Sequence, residues 1–183
     1  MSKNYYIIPI FVFHVGCPHN CVFCNQVRIT GVKKEVNGEE EGVTANKVRK
    51  IVDEYLKTLN NNATIEISFF GGTFTAIKEE KQRELLEVAK EYKDKGLIDK
   101  IRMSTRPDYI NDYILSYLKD YTVDIIELGV QSLDDEVLIA AGRGHSSSEV
   151  EKASKLIKEY GITLGHQIMP GLPKDSFKKD IET

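Results

Sequence analysis

Apolar and polar positions along this chain fall into two alternating spacings, and that alternation lays out the fold. A continuous apolar run from about Tyr5 to His14 reads as a strand. After Thr44, the residues Val48, Ile51, Val52, Tyr55, Leu56 and Leu59 recur at three and four positions, the stripe of an amphipathic helix that ends at Asn60-Asn61-Asn62. From Thr64 to Phe70, Ile65, Ile67 and Phe69 alternate with Glu66 and Ser68, a strand's period of two, which Gly71-Gly72 cuts off. The pattern then predicts a helix from about Lys78 to Lys95 and a strand from Leu97 to Ser104. A further helix is opened by Pro107, whose missing N–H costs nothing in a first turn. The run Val123 to Val130 is nearly all apolar, as suits a strand buried on both faces of a parallel sheet. Ser146 and Glu149 have capping-box spacing ahead of Val150, Ala153, Leu156, Ile157 and Tyr160, and Ile162, Leu164 and Ile168 mark a fifth strand.

Five strands alternating with four helices predict repeated βαβ units, hence an α/β protein with an open parallel sheet of five or six strands and outer helices. Strand starts near positions 5, 64, 98, 123 and 162 use up the 183 residues at the rate of an eight-unit barrel. Such a barrel needs roughly 250 residues, so only a partial (β/α) barrel fits. Pro9 inside the first run places that strand at an edge, where no ladder donor is missed. With no linker or repeat in view, residues 1–183 read as one domain, and Asp180-Ile181-Glu182-Thr183 falls inside what reads as a new helix, so the chain is expected to be a fragment of a longer protein or an unusually short version of one.

Composition narrows the function classes. With 41% hydrophobic and 29% charged residues the chain is ordinary globular material. Its 25 Lys and Arg against 28 Asp and Glu leave a net charge of −3, which offers no broad electrostatic grip on nucleic acid. The apolar start is broken by Pro9 and has no small-residue cleavage site, so neither a membrane span nor a signal peptide is expected, and the expected location is cytoplasmic. The three cysteines, Cys17, Cys21 and Cys24, are an odd and tightly clustered set that excludes a secreted disulfide framework.

In parallel α/β architectures ligands gather at the carboxyl ends of the strands. Those ends here carry Gly16 to Asn25, Gly71 to Phe74, Ser104 to Asp108, Gly129 to Ser132 and His166 to Gly171. Spaced as C-x3-C-x2-C on one loop, three thiolates reach three irons of a cubane cluster and leave the fourth open. Two alternatives stand beside that reading: a zinc site completed by His14 or His19, and unliganded thiols. Asp124 and Glu127 lie within or beside an apolar strand, where an unpaired carboxylate is costly, so Glu127 is expected either to face the lumen below the site or to be paired structurally.

The cysteine segment, with Phe23 before the third cysteine, resembles the signature of the radical S-adenosylmethionine (SAM) superfamily. Within it, VGCPHNCVFCNQ, FFGGTF, STRPDYI and the stretch from ELGVQSLDDEVL to RGH are most similar to the branch containing the catalytic subunit of Elongator and the oxygen-independent coproporphyrinogen oxidases. The resemblance implies a [4Fe–4S] cluster on Cys17, Cys21 and Cys24, and SAM as the second cofactor. It implies that Gly71, Gly72 and Thr73 receive the SAM amino group and that Gln131 and Arg143 meet its ribose and carboxylate. It places Ser104 where relatives put a ribose-binding glutamate and Phe23 by the adenine; His166, near the end of the fifth strand, is expected either to line the adenine or substrate space or to be satisfied structurally. The implied activity is reductive cleavage of SAM to a 5′-deoxyadenosyl radical, fed by a ferredoxin- or flavodoxin-type donor. The implied substrate is tRNA, as in Elongator, or a small metabolite, as in the coproporphyrinogen oxidases. A non-catalytic iron–sulfur or zinc module is the alternative from another class. The Elongator subunit continues into an acetyltransferase-like domain and the oxidases into a C-terminal domain, and 183 residues hold neither.

Overall fold

A computed structural model describes residues 4–12, 19–24, 43–60 and 62–183. Five strands, β1 (Tyr5–Phe11), β2 (Thr64–Phe70), β3 (Lys100–Thr105), β4 (Ile125–Gln131) and β5 (Thr163–Ile168), run parallel in one sheet whose spatial order is the chain order. Sequential order is barrel-like winding: each crossover returns over the same face, so helices gather on one side and the other becomes a lumen. All five expected strands are present. The expected continuation of the first through Phe13 and His14 lies outside the described residues.

The described helices are α1 (Ala45–Leu56), α2 (Glu79–Asp94), α3 (Asp112–Asp120), α4 (Asp135–Ala140), α5 (Ser147–Glu159) and α6 (Phe177–Glu182). The capping box of α5 forms as expected: the Ser146 hydroxyl accepts from the Glu149 amide while Glu149 accepts from the Ser146 amide at 2.7 Å. Two expectations are corrected. Pro107 opens a 3-10 turn, Pro107–Tyr109, because Ile110 is extended, and α3 starts only behind Asn111, whose side chain accepts from the Ile114 amide at 2.9 Å. Helix α4 was not expected at all; its six residues are capped by Asp134, which accepts from the Val137 amide at 3.0 Å.

One face of the sheet is the core. Ile8, Ile10, Ile67, Phe69, Ile101, Met103, Ile126 and Leu128 are fully buried in one cluster with Val48, Val52, Leu85, Leu86, Leu115, Leu118 and Ile157 of the helices. Each such side chain contributes about 1.5–3 kcal/mol by leaving water. The opposite face is polar. Glu66, fully buried, accepts from the Tyr5 and Ser68 hydroxyls, and Arg102 lies with Nη1 3.7 Å from Glu66 while its Nη2 pairs with Glu127. Burial, then the bond to Glu66, pushes the Tyr5 hydroxyl up to about 12. Glu127 is therefore a paired carboxylate on the lumen face, where β4 is only half-buried at Ile125 and Glu127.

Among the described residues strand β1 is one of the sheet's two edges, a place that suits Pro9. The Val12 amide donates to Phe70 O and Asn4 O accepts from the Thr64 amide, so the even-numbered residues turn their backbone groups toward β2 and Pro9 turns its nitrogen outward. At the amino ends of the strands one device is used twice. Asp99 and Asp124, each just before a strand, trade bonds with the strand beside them. Asp99 donates its amide to Ile65 O and takes the Ile65 amide on its carboxylate at 2.8 Å. Asp124 does the same with Ile101, also at 2.8 Å, and binds Lys93 Nζ at 2.6 Å.

Candidate functional site

The carboxyl ends of β3 and β4 and the turn after α4 converge on the cysteine loop. Within that loop the Cys24 amide donates to Cys21 O at 2.9 Å, so the two cysteines are the first and last residues of one turn. The loop is tied to the α4 turn by the Val22 amide, which donates to Ala141 O at 3.0 Å, and the His19 ring lies against Gly144. Cys17 lies outside the described residues.

Arg143 reaches from the α4 turn back across β4. Its Nη1 lies 3.8 Å from the buried Cys21 Sγ, its Nη2 donates to Gly129 O, and its Nε, like the other unpartnered atoms below, has no partner among the described residues. A methyl group on Gly129 would stand 2.7 Å from that Nη2 and 3.2 Å from Gln131 Nε2, so the bare glycine is what lets both side chains lie over the strand. Gln131 itself holds φ at 73° in a bulge between Gly129 and Gln131, a conformation unfavourable for a residue with a Cβ and frequent at functional sites. Its Oε1 is buried without a partner.

Arg106, which sequence reasoning did not single out, lies behind Arg143. It grips Asp108 through Nε at 2.9 Å and Nη2 at 3.1 Å, and the same Nη2 donates to Arg143 O at 2.7 Å. Asp108 in turn lies 3.7 Å from His19 Nε2 on the cysteine loop. Nη1 of Arg106 is a further buried donor with no partner. Burial, and then the charge of Arg106, lowers the pKa of Arg143, while Cys21 and Asp108 act the other way. His145, also missed, is buried with Nε2 3.3 Å from Val130 O and Nδ1 unpartnered, and burial followed by Arg143 and Arg106 pulls its pKa down to about 4. Both residues stand inside motifs quoted for other reasons, Arg106 in STRPDYI and His145 at the end of RGH.

The family model described as Radical SAM superfamily matches residues 11–183. The chain belongs to the radical SAM superfamily. It is 27% identical over 204 residues to a tRNA uridine(34) acetyltransferase of Methanocaldococcus infernus, a match covering 95% of this chain and 38% of that protein. Human Elongator complex protein 3 is 29% identical over 147 residues, or 70% of this chain and 27% of that protein. The archaeal Elp3 structure of M. infernus superposes with a TM-score of 0.69 at 21% identity over 100% of this chain and 42% of that one. The chain thus spans less than half the length of these relatives.

As a radical SAM protein the chain takes a [4Fe–4S] cluster and SAM as cofactors. The residues present fit that pair: a buried cysteine under a guanidinium suits an iron-bound thiolate, and the buried atoms on Arg106, Gln131, Arg143 and His145 that have no partner among the described residues suit a polar ligand.

Of the residues expected at the radical SAM site, the structure brings Cys21, Gln131 and Arg143 together. Gly71, Gly72 and Thr73 lie at the end of β2, where Gly71 has φ 97° and a Cβ on it would come 3.0 Å from Val12 O; its bareness serves the packing of β1. Thr73 is buried and begins the 3-10 turn Phe74–Ala76, and Phe74 stacks on Phe69 at 4.9 Å in the core. Ser104 is half-buried on the lumen face, in register with Glu127. Phe23 packs with Val137, Ala141, Leu172 and Met169 in a small satellite cluster. His166 is set apart: it is in register with Leu128, on the helix side of the sheet, and its Nε2 is 2.8 Å from the Ser154 hydroxyl of α5.

Proposed function

We propose that the chain is the core of an enzyme that cleaves SAM reductively at a [4Fe–4S] cluster held by Cys17, Cys21 and Cys24, with tRNA as the substrate. The observation that carries this reading is the set of buried polar atoms on Arg106, Gln131, Arg143 and His145 that find no partner among the described residues, gathered at the strand ends beside Cys21. Buried donors and acceptors cost about 1–3 kcal/mol each when unmade, so a set of them at one strand end is a site that a polar ligand completes. The two guanidiniums attract a carboxylate, and the Gln131 Oε1 accepts from a hydroxyl or ammonium. Cluster and cofactor together supply a one-electron cleavage that produces a hydrogen-abstracting radical, with the electron coming from a ferredoxin- or flavodoxin-type donor. The protein's part is to hold SAM against the cluster and keep water out. The tRNA assignment is supported by the M. infernus relative, named as a tRNA uridine(34) acetyltransferase, and by the STRPDY segment.

The test is anaerobic reconstitution of the full chain. About four irons per chain and dithionite-dependent release of methionine from SAM support the assignment; a zinc-loaded, colourless protein that leaves SAM intact overturns it. For the substrate, tRNA binding with a steep loss of affinity between 50 and 200 mM salt, as phosphate contacts give on the order of 10³-fold or more, separates RNA from a small metabolite.

A further inference from the structure

Arg143 differs from an arginine waiting only for a ligand, because most of its fork is already engaged. Nη2 is bound to Gly129 O, and Nη1 is directed at Cys21 Sγ. The turn that carries Arg143 is anchored as well: Arg106 Nη2 donates to the backbone carbonyl of Arg143 at 2.7 Å, and Arg106 is itself fixed by the paired bonds to Asp108. Among the described residues, Arg106 and Arg143 bring two positive charges and Asp108 one negative, which leaves an excess of one positive charge beside the cysteine sulfur. The arrangement therefore suits an anionic sulfur next to Nη1 better than a neutral thiol.

We propose that Arg143 tunes the reduction potential of the cluster through Cys21: its Nη1 donates to the ligating thiolate and its charge favours the reduced form. The inference rests on the assignment of Cys21 as a cluster ligand and adds a role that precedes SAM binding. When one electron enters from dithionite, the cluster gains one negative charge, and a fixed cation within hydrogen-bonding distance of a ligand sulfur stabilises that state more than the oxidised one. Potential is thus raised by Arg143 and by the excess positive charge behind it, and Asp108 opposes them.

The experiment is a redox titration of the reconstituted full chain without SAM, following the EPR signal of the reduced cluster in wild type, Arg143→Gln, Gly129→Ala and Asp108→Asn. Arg143→Gln is expected to lower the ratio of reduced to oxidised cluster at a fixed poise by about tenfold, a shift of ~59 mV to more negative potential for one electron. Gly129→Ala keeps the charge but pushes Nη2 aside, and is expected to shift the potential in the same direction by less. Asp108→Asn is expected to shift it the opposite way. A midpoint unchanged in Arg143→Gln with wild-type iron content overturns the inference. Should that variant fail to retain iron, Gly129→Ala and Asp108→Asn decide it, and unmoved midpoints in both overturn it equally. Failure of the wild type to take up a cluster overturns the underlying ligand assignment, a distinguishable result.

Discussion

The two ends of the sheet handle buried polar groups in different ways. At the amino ends, Asp99 and Asp124 close their bonds with the neighbouring strands, and Lys93 completes the second pair while donating also to Thr122 O at 2.7 Å. At the carboxyl ends, Arg106, Gln131, Arg143 and His145 are buried with one polar atom each left over. Among the described residues the amino ends leave only the Thr122 hydroxyl unpartnered, so both ends are built from the same repeated strand–helix units but differ in degree: carboxylates that fix strand register at one end, and a gathering of unpaired donors and acceptors at the other.

The largest effect that bears on this contrast is at the cysteine loop. Cys21→Ala is expected to take the reconstituted iron content from about four per chain to near zero, measured by iron assay, and a retained cluster would break the picture of the carboxyl end as the cofactor end. Next is the cost of keeping His145 neutral. Its pKa is about 4 in the folded chain against 6.5 when unfolded, so the folded state binds fewer protons in between; stability is full above about 6.5 and falls as pH drops toward 4, by about 3 kcal/mol in all. Urea unfolding of the cluster-free chain at pH 7 and pH 4.5 should show that loss, and His145→Gln should flatten it. At the other end, Asp124→Ala is expected to cost about 2 kcal/mol in urea unfolding, through the unmade bond to the Ile101 amide, while SAM binding stays at the wild-type level. The smallest effect is expected at His166. Because it faces Ser154 in the helix layer, His166→Gln should leave the SAM dissociation constant within about twofold, and a tenfold change, or about 1.4 kcal/mol, would return this residue to the site.

How much of this was legible in the sequence followed from how local each signal is. A period-two strand such as Thr64–Phe70 and a capping box such as Ser146 with Glu149 are written within a few residues, and both are found where expected. Helix α4 is too short to show a stripe: it buries Val137 and Leu138 and leaves Ile139 80% exposed. The cysteine spacing is equally local, and so it points to a cluster unaided. The role of Arg106 is not local. It depends on Arg143 O, 37 positions away, and on Asp108 turned toward His19. Read along the chain, Arg106-Pro107-Asp108 is only the start of a helix. His166 misled for the reverse reason: standing at a strand end settles which end of the sheet a residue occupies, and the alternation of β5 then turns its side chain to the helix side.

Pro9 has a consequence for how copies of the chain meet. The outer row of β1 is a line of backbone donors and acceptors on an apolar strand whose Tyr5, Ile7 and Phe11 are exposed, the type of edge on which a second chain can zip up a continuous sheet. The outward-facing nitrogen of Pro9 removes the donor from the middle of that row, so a strand approaching from another molecule meets a gap in its ladder and cannot pair along the full length. Among the described residues, one ring in the first ten positions thereby interrupts the open row of the sheet while leaving its pairing with β2 intact.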